Sequence, residues 1–418
     1  MTTIADQVLR ELKALLRAHP QAPCADTAPV AEHLLHTDAS GAVVGMALRE
    51  LGLDGLPASL GDLRGLEQLD LSGNRLATLP AALGDLTRLR QLLLDDNQLA
   101  VLPPWIGTLS SLQWLAADGN ALIALPATIG GLGRLERLDV RRNHLEVVPE
   151  CVRPLAGLRD LRLGKNELAE VPHWLWELSR LEVLDLSENR LGSLPAGIGG
   201  LASLRMLDLG HNALVALPAE IGALASLDSY LYLSDNHLVA LPEGIGALRR
   251  LAYLNVADNQ IAALPEALGE MAGLVELRLG NNRLAAVPAS LGQLTHLQEL
   301  HLQNNALRVL PDTAGGLAQL RTLNLSGNQL TRLPETLGGL RQLATLDLRN
   351  NHLLELPSTI GRIASLRRLD LRGNRLRALP AGIASLPCLE LLDLRWNKLA
   401  NGHTWLTELE QRGCRVLR

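Results

Sequence analysis

Residues 69–92 read LDLSGNRLATLPAALGDLTRLRQL, and this stretch decides the fold because its pattern recurs along most of the chain. Counted from one asparagine to the next, the period is 23 residues in every step except that from Asn212 to Asn236, which is 24. A degenerate unit with Leu51 at the asparagine position precedes the others, so the chain contains about sixteen turns of one repeat. The repeats are marked by Asn74, Asn97, Asn120, Asn143, Asn166, Asn189, Asn212, Asn236, Asn259, Asn282, Asn305, Asn328, Asn351, Asn374 and Asn397.

The first half of each repeat alternates apolar and polar residues, which is typical of a short strand with one buried face. The leucines five and three positions before the asparagine should point inward, and the residues six, four and two positions before it should point outward. The Leu-Pro and the glycine that follow predict a return path of short 3₁₀ or helical turns. Because one turn buries too little surface alone, the sequence predicts an α/β solenoid with a parallel concave sheet and a convex side of short helical turns.

The asparagine side chain should lie where the chain bends inward. There its amide can satisfy backbone groups of its own turn and of the neighbouring turn, which a leucine cannot do. Loss of such a buried hydrogen-bonding partner should cost about 1–3 kcal/mol.

The repeats continue without a linker, so we expect one continuous structural domain. It should consist of a helical N-terminal cap over residues 1–40, the repeat array over residues 41–401 and a C-terminal cap over residues 402–418.

Each cap has its own predicted elements. Apolar residues at near-helical spacing predict a helix over residues 3–18, and a second short helix is expected over residues 27–36. In the C-terminal cap we expect a helix over residues 403–411, followed by an edge strand over residues 414–417.

Composition excludes several functional classes. The net charge of −5 gives no electrostatic case for a nucleic-acid partner, and no run of 18 apolar residues predicts a membrane span. The first residues carry charges throughout, unlike a secretory signal peptide. The four cysteines lie far apart without a C-x-x-C pair. These features predict a soluble cytoplasmic protein with neither nucleic acid nor a membrane as its partner.

The 23-residue unit with L-P-x-x-[IL]-G-x-L resembles the leucine-rich repeats of the Ras-group and Scribble/Erbin type and of many bacterial relatives. The resemblance covers about 360 of the 418 residues. It implies a horseshoe-shaped solenoid that recognises another protein on its concave face, with small GTPases and other signalling proteins among the partners of the family. Larger relatives carry a separate catalytic module, for which this chain has no room outside residues 1–40 and 402–418.

No catalytic, cofactor or metal site is predicted. The chain lacks the phosphate-binding G-x-x-x-x-G-K-[ST], the zinc-binding H-E-x-x-H and the nucleophile elbow G-x-S-x-G. Aspartates recur four positions before the asparagine, and we interpret them as a repeat feature neutralised by arginines such as Arg349, Arg372 and Arg395 rather than as catalytic carboxylates. These aspartates are Asp70, Asp139, Asp185, Asp208, Asp347, Asp370 and Asp393.

The outward positions six residues before the asparagine form an apolar strip in the middle of the array, made of Val183, Met206, Tyr230 and Tyr253. Tyr232, four positions before its asparagine, adds to the strip. Tyrosine is enriched at the energetic centres of protein interfaces, and a contiguous exposed apolar strip is typical of a binding site. The extra residue of the 24-residue repeat leaves open whether Tyr230 points outward or inward, so Tyr232 is the safer candidate.

A basic band made of Arg137, Arg141, Arg142, Arg162 and Lys165 precedes the apolar strip. A partner with an apolar patch beside acidic groups would match this order of residues. Trp174 and Trp176, on the return path, either pack between turns or form a second, lateral site. The full set of predicted partner-binding residues is Trp114, Arg137, Arg141, Arg162, Val183, Met206, Tyr230, Tyr232, Tyr253, Arg278 and His301.

Two functions remain open at this point. The leading one is a cytoplasmic scaffold or adaptor, without enzymatic activity, that binds a partner protein on its concave face. The alternative is a bacterial effector that acts by binding a protein in the host cytoplasm. The presence of only three lysines, Lys13, Lys165 and Lys398, would leave an effector few ubiquitination sites, although a GC-rich genome also favours arginine over lysine.

Overall fold

The computed structural model describes residues 4–18, 34–400 and 405–418. The chain forms two compact units. Unit 1 consists of Met1–Leu191 with Gly200–Leu204, and unit 2 consists of Gly192–Gly199 with Arg205–Arg418. The described residues contain two α-helices, α1 (Ile4–Ala18) in unit 1 and α2 (Trp405–Gln411) in unit 2. No helix in the described part of the chain is long and apolar enough to span a membrane.

The strands of unit 1 follow the repeat. Strands β1 and β2 pair in antiparallel fashion, and from β2 onward each strand pairs in parallel with the strand of the next repeat, as in the register Gln68↔Gln91. The strands are β1 (Leu35–Thr37), β2 (Val43–Ala47), β3 (Gln68–Asp70), β4 (Gln91–Leu93), β5 (Trp114–Ala116), β6 (Arg137–Asp139), β7 (Asp160–Arg162) and β8 (Val183–Asp185).

The strands of unit 2 are all parallel to their neighbours in sequence order. They are β9 (Met206–Asp208), β10 (Tyr230–Tyr232), β11 (Tyr253–Asn255), β12 (Glu276–Arg278), β13 (Glu299–His301), β14 (Thr322–Asn324), β15 (Thr345–Asp347), β16 (Arg368–Asp370), β17 (Leu391–Asp393) and β18 (Arg415–Leu417).

A short 3₁₀ helix forms the return path of each repeat and begins, with few exceptions, after a proline whose φ is near −65°. The α/β solenoid class, with a parallel sheet and 3₁₀ return segments, is therefore confirmed. The 3₁₀ helices are Ala58–Asp62, Ala81–Asp85, Pro104–Thr108, Ala127–Gly131, Glu150–Val152, His173–Glu177, Ala196–Gly200, Ala219–Ala223, Glu243–Ala247, Glu266–Glu270, Ala289–Gln293, Asp312–Gly316, Glu335–Gly339, Ser358–Arg362 and Ala381–Ser385.

The asparagines form a hydrogen-bonded ladder inside each unit. In unit 1 the Oδ1 atom of Asn97 accepts the N–H of Leu76 at 3.0 Å, and its Nδ2 donates to the carbonyls of Leu71 and Leu94, both at 3.0 Å. Equivalent bonds recur at the other buried asparagines, for example at Asn259 in unit 2. The amide thus satisfies backbone groups of its own turn and of the preceding turn, as the sequence predicts.

Both ends of the described chain can be compared with the expected caps. Helix α1 confirms the predicted helix over residues 3–18 and buries Val8 and Leu12. Most of the second predicted helix, residues 27–36, lies outside the described residues, and the prediction is wrong at its end, where Leu35 already belongs to strand β1, paired with β2. At the C-terminus α2 and β18 match the predicted helix and edge strand, while residues 403 and 404 lie outside the description. The single continuous domain stays a prediction.

Candidate protein-binding face

In each unit, the strands have one face that points away from the leucine core, and this face is called the open face. On strand β10, Leu231 is fully buried, whereas Tyr230 and Tyr232 on either side of it are partly exposed. This alternation recurs from strand to strand and follows from the two-residue period of a β-strand. The open face therefore presents the residues six, four and two positions before each asparagine, as the sequence predicts.

The 24-residue repeat places its extra residue before strand β10. Tyr230 is in register with Met206 on one side and Tyr253 on the other, so its side chain points outward. The longer segment contains Asp228, whose carboxylate lies 3.1 Å from Arg205 and 3.4 Å from Arg250. The register of β10 with both neighbouring strands is intact, so the extra residue is accommodated between Leu227 and Tyr230.

The three tyrosines of the chain form a tyrosine cluster (Tyr230, Tyr232 and Tyr253) on the open face of unit 2. The ring centroids of Tyr230 and Tyr232 are 5.0 Å apart in an edge-to-face arrangement, and those of Tyr232 and Tyr253 are also 5.0 Å apart. Aromatic pairs of this geometry are worth about 0.5–1.5 kcal/mol beyond the area they bury. Burial raises the pKa of Tyr253 to about 12, although the charge of Arg278 opposes this rise.

The predicted apolar strip divides between the two units. Met206, in register with Tyr230, continues the tyrosine cluster within unit 2. Val183 lies in unit 1 on strand β8, in register with Asp160 of β7, and is partly exposed there.

A charged group flanks the tyrosine cluster on strands β12 and β13. Ligand atoms of Glu276, Glu299 and His301 lie within 4.8 Å of one another, and such nitrogen and oxygen donors could bind a divalent metal. However, Arg278 donates a hydrogen bond to Glu276, and His301 Nε2 lies 3.1 Å from Glu299. The guanidinium also lies 5.9 Å from the Tyr253 ring, within cation–π distance. Each of the two carboxylates is therefore already paired within the described residues, Glu276 with the guanidinium and Glu299 with the imidazole.

An open pocket of about 380 Å³ lies in the same unit, and Arg278 belongs to both the pocket and the charged group. Its lining is polar: His211 Nδ1 lies 2.7 Å from Asp235, and Asn281 donates to Asp258 at 2.7 Å. Such groups can hydrogen-bond the polar side chains or backbone of a bound segment.

The predicted basic band lies on the open face of unit 1, and its guanidinium groups are bonded to carboxylates. Arg141 lies 2.7 Å from Asp139, and Arg162 lies 2.9 Å from Asp160. Arg137 lies 3.4 Å from the same Asp160, while its guanidinium stacks 4.3 Å from the ring centroid of Trp114. The structure therefore brings these predicted residues together, but their charge is neutralised within the unit.

The same network extends toward the N-terminal side of unit 1. Arg142 lies 2.7 Å from Asp118 and 2.9 Å from Asp96, and these carboxylates raise the pKa of Arg142 above its usual value. Asp95 has no cation at ion-pair distance in the described residues, and burial raises its pKa to about 6. A backbone hydrogen bond from Asp118 opposes this rise, and the charges of Asp139, Asp118 and Asp96 add to it.

The recurrent aspartates have a structural role. Each accepts the backbone N–H of the residue two positions on, at 3.0–3.2 Å, and so ends its strand, which is true of Asp70, Asp139, Asp185, Asp208, Asp347, Asp370 and Asp393. Arg349 and Arg395 pair with their aspartates as predicted, at 2.7 and 2.6 Å. Arg372 makes no ion pair with Asp370 within the described residues; its guanidinium lies 5.5 Å from the ring centroid of Trp396, and its charge also acts on Asp393.

The tryptophans of the return path favour packing over a lateral site. Trp174 is 3% exposed and Trp176 is 5% exposed. An interface needs accessible surface, so these rings support the 3₁₀ helix His173–Glu177 and offer little to a partner.

Trp396 is the most exposed large apolar side chain among the described residues, at 73%, yet it is absent from the sequence-predicted site. A signal for it does exist. The position before the asparagine carries glycine or a polar residue in the other asparagine repeats from Asn74 onward, and Trp396 breaks that pattern. Because it lies outside the outward columns that predict binding residues, alternation alone cannot identify it.

Two family models match the chain. One, described as a leucine-rich repeat region, matches residues 229–310 and 309–413, and the other, described as leucine rich repeat, matches residues 53–99 and 156–214. No curated protein matches the chain.

Solved structures give a consistent result. A leucine-rich-repeat protein of Leptospira interrogans is 36% identical over 89% of this chain and 94% of its own, with a TM-score of 0.83. The Arabidopsis receptor kinase HAESA, solved with the peptide hormone IDA and a co-receptor, is 28% identical over 96% of this chain and 70% of its own, with a TM-score of 0.77. The ectodomain of an Arabidopsis thaliana membrane receptor kinase, solved with Casparian strip integrity factor 2, is 31% identical over 87% of this chain and 48% of its own, with a TM-score of 0.65.

Proposed function

Because this chain belongs to the leucine-rich-repeat family, we propose that it is a protein-binding scaffold or adaptor that acts without catalysis. The partner is a protein segment held on the open face of unit 2, with the tyrosine cluster at its centre. The observation that carries this proposal is the contact of Tyr230, Tyr232 and Tyr253 with one another on adjacent strands of that face.

The chemistry of the cluster supports this role. A tyrosine ring provides a large apolar surface at a small cost in conformational entropy, and its hydroxyl can hydrogen-bond the backbone of a partner. The rings stand on rigid parallel strands and support one another, so they lose little freedom when they are covered. Met206 extends the apolar surface on one side, and Glu276 and Arg278 give a polar border on the other.

The binding modes of similar proteins support the same proposal. HAESA was solved with a peptide hormone and a co-receptor, and the second Arabidopsis receptor with Casparian strip integrity factor 2. By this likeness the partner of the present chain is a protein or an extended peptide. Its assignment to small GTPases or other signalling proteins stays a prediction from the family resemblance.

Affinity capture from a native lysate, read by mass spectrometry, tests the proposal. Wild type is compared with a variant carrying Tyr230→Ala, Tyr232→Ala and Tyr253→Ala. The matched control carries Gln91→Ala, Thr322→Ala and Thr345→Ala, which lie six positions before their asparagines and are also partly exposed. A thermal melt checks that each variant is folded.

We expect a protein that wild type and the control retain and that the tyrosine variant loses. Equal capture by both variants would contradict the assignment to the tyrosine cluster. Capture lost by the control alone would move the site away from the cluster.

A cytoplasmic location is part of the proposal and is supported by the free thiols of Cys151, Cys388 and Cys414, as expected in a reducing compartment. The alternative, an effector that binds a host protein, is favoured only by the presence of three lysines. A fusion of residues 1–50 to a reporter separates the two. Export of the reporter by a bacterial secretion system would support the effector, and retention would support the cytoplasmic scaffold.

A further inference from the structure

Trp396 occupies a backbone position that disfavours its side chain. In each repeat the residue before the asparagine adopts a left-handed conformation, with φ of 57° at Trp396. Glycine, asparagine and aspartate adopt this conformation readily, whereas a bulky residue is an outlier there. At 73% exposure, Trp396 gains little from packing within the chain. Strained residues of this kind are concentrated at ligand-binding sites, which makes the exposed indole a candidate contact for a partner.

Arg372, beside Trp396, lacks the carboxylate partner that its counterparts have. Its guanidinium lies 5.5 Å from the centroid of the indole ring, and its buried Nε atom makes no hydrogen bond within the described part of the chain. Arg349 and Arg395 are bonded to aspartates two positions earlier, at 2.7 and 2.6 Å. Arg372 therefore has no carboxylate at ion-pair distance within the described residues, and its guanidinium lies against the indole ring.

Two more unpaired arginines lie on the same open face of unit 2. Arg368 on β16 is in register with Leu391 on β17, which is in register with Arg415 on β18. Both arginines are exposed, and neither has a carboxylate within ion-pair distance among residues 34–400 and 405–418. Arg368 and Arg415 thus present two exposed positive charges on a face that also carries Asp347, Asp370 and Asp393.

We propose that this C-terminal corner, formed by Arg368, Arg372, Leu391, Trp396 and Arg415, is a second binding site that takes an acidic protein segment. Carboxylates of the segment pair with the free guanidiniums, and an apolar side chain packs on the indole. This surface is distinct from the tyrosine cluster and goes beyond the proposed function.

A nucleic-acid chain would also be attracted by guanidiniums and an exposed indole, but the surroundings disfavour it. Asp347, Asp370 and Asp393 alternate with the arginines on this face. Their carboxylates would repel a continuous phosphodiester backbone, whereas a peptide can place its few carboxylates where the arginines are. An acidic peptide therefore fits the observed distribution of charge better.

Fluorescence anisotropy with a fluorescein-labelled peptide of glutamate, aspartate and leucine tests the proposal. We expect saturable binding that weakens as salt is added, because the contacts are ionic. Trp396→Asn and Arg372→Gln should each weaken binding about fivefold or more, as is usual for interface tryptophan and arginine. The matched control Arg283→Gln, an exposed and unpaired arginine elsewhere in unit 2, should change it less than about twofold.

The asparagine variant separates a binding role from a structural one. Asparagine accepts the left-handed conformation, so Trp396→Asn should melt at the same temperature as wild type or higher while losing the peptide. A clear drop in its melting temperature would assign Trp396 to folding and overturn the proposal. Tyr232→Ala should leave peptide binding unchanged, which distinguishes this site from the tyrosine cluster.

Two further results would overturn the inference. One is the absence of saturable peptide binding up to about 1 mM, the weak end of specific association. The other is tighter binding of a labelled single-stranded oligonucleotide than of the peptide, which would make the corner a nucleic-acid site.

Discussion

On the open face of unit 1, the arginines of the basic band are hydrogen-bonded to neighbouring carboxylates, such as Arg141 to Asp139 and Arg162 to Asp160. On the open face of unit 2, the three tyrosines contact one another and remain partly exposed. Both faces are built by the same repeat, with the same strand register and the same asparagine ladder. They differ in the contacts that their conspicuous side chains make, which are ion pairs in unit 1 and ring-to-ring contacts in unit 2.

This difference bears on binding energy. A partner that used the basic band would have to compete with existing ion pairs, and the gain from exchanging one exposed ion pair for another is small. A partner that covers the tyrosine cluster removes aromatic surface from water without breaking an internal bond. Sequence position alone predicts both regions as interfaces. Only the side-chain contacts in the structure distinguish the two.

The largest expected effect is on partner affinity. Tyr232 touches both other rings of the cluster, so Tyr232→Ala should weaken binding of the captured partner by about 2 kcal/mol or more, about 30-fold. In unit 1, Arg162→Gln should change affinity less than about threefold, because that guanidinium is paired with Asp160. Surface plasmon resonance measures the affinity of the partner for each of the two variants. A larger loss for Arg162→Gln than for Tyr232→Ala would reverse the comparison.

The next effect tests whether the scaffold is the same in both units. Asn97→Ala in unit 1 and Asn259→Ala in unit 2 each leave buried backbone groups without partners, so each should lower the free energy of unfolding by about 1–3 kcal/mol. Urea unfolding, followed by circular dichroism, measures this. The control Gln98→Ala, beside Asn97, removes an exposed amide that makes no side-chain hydrogen bond within the described residues and should cost well under about 1 kcal/mol. Clearly unequal losses at Asn97 and Asn259 would mean that the two ladders differ.

A smaller effect concerns Asp95, a carboxylate of unit 1 with no cation at ion-pair distance among the described residues. The pKa of Asp95 is about 6 in the folded protein, above its ordinary 3.8. Between these values the folded state keeps a proton that the unfolded state has lost, so this group makes the protein less stable as pH rises from about 4 to 6. Above about pH 6 the carboxylate of Asp95 is ionised in both states, and the full loss of stability is present.

Asp95→Asn should therefore raise the free energy of unfolding at pH 7 by about 1 kcal/mol, after allowance for solvent screening. Near pH 4 the variant and wild type should be equally stable. Asp96→Asn, which removes the 2.9 Å ion pair with Arg142, should give no stabilisation at either pH. A stabilisation by Asp95→Asn that persists unchanged at pH 4 would contradict the burial of a charged carboxylate at this position.

The smallest effect is spectroscopic. Burial raises the pKa of Tyr253 to about 12, so this phenol should stay neutral at pH values where an ordinary tyrosine, with a pKa of about 10, is ionised. Between about pH 10 and 11, wild type and Tyr253→Phe should therefore form equal amounts of tyrosinate, as measured by near-ultraviolet absorbance while circular dichroism reports a folded protein. A lower tyrosinate signal in Tyr253→Phe would mean that Tyr253 is open to solvent and ionises normally.

The repeat, the strand positions and the 3₁₀ return path could be predicted from the sequence because each follows from a local rule. Alternation assigned the faces, and Leu-Pro marked the start of the return path. The asparagine spacing fixed the register, since each repeat pairs with the next at the same position. The end of the predicted helix over residues 27–36 was wrong because the antiparallel pairing of β1 with β2 is a tertiary contact that no local pattern reports.

The candidate site could be predicted only in part. The column that contains Tyr230 and Tyr253 follows from alternation. The outward direction of Tyr230 depends on where the extra residue is accommodated, which only the register of the assembled strands shows. The pairing of the basic band likewise depends on rotamers between neighbouring strands. Trp396 and Arg372 belong to adjacent repeats. Their contact therefore cannot be predicted until the strands are assembled.

Site-specific photo-cross-linking tests directly whether the partner lies on the tyrosine cluster or on the basic band. A benzophenone amino acid replaces Met206, in register with Tyr230, or Trp114, which stacks on Arg137 in unit 1. We expect irradiation of the complex to join the partner to the Met206 position and to leave the Trp114 position unlinked. Cross-links from Trp114 alone would contradict it and assign the interface to unit 1.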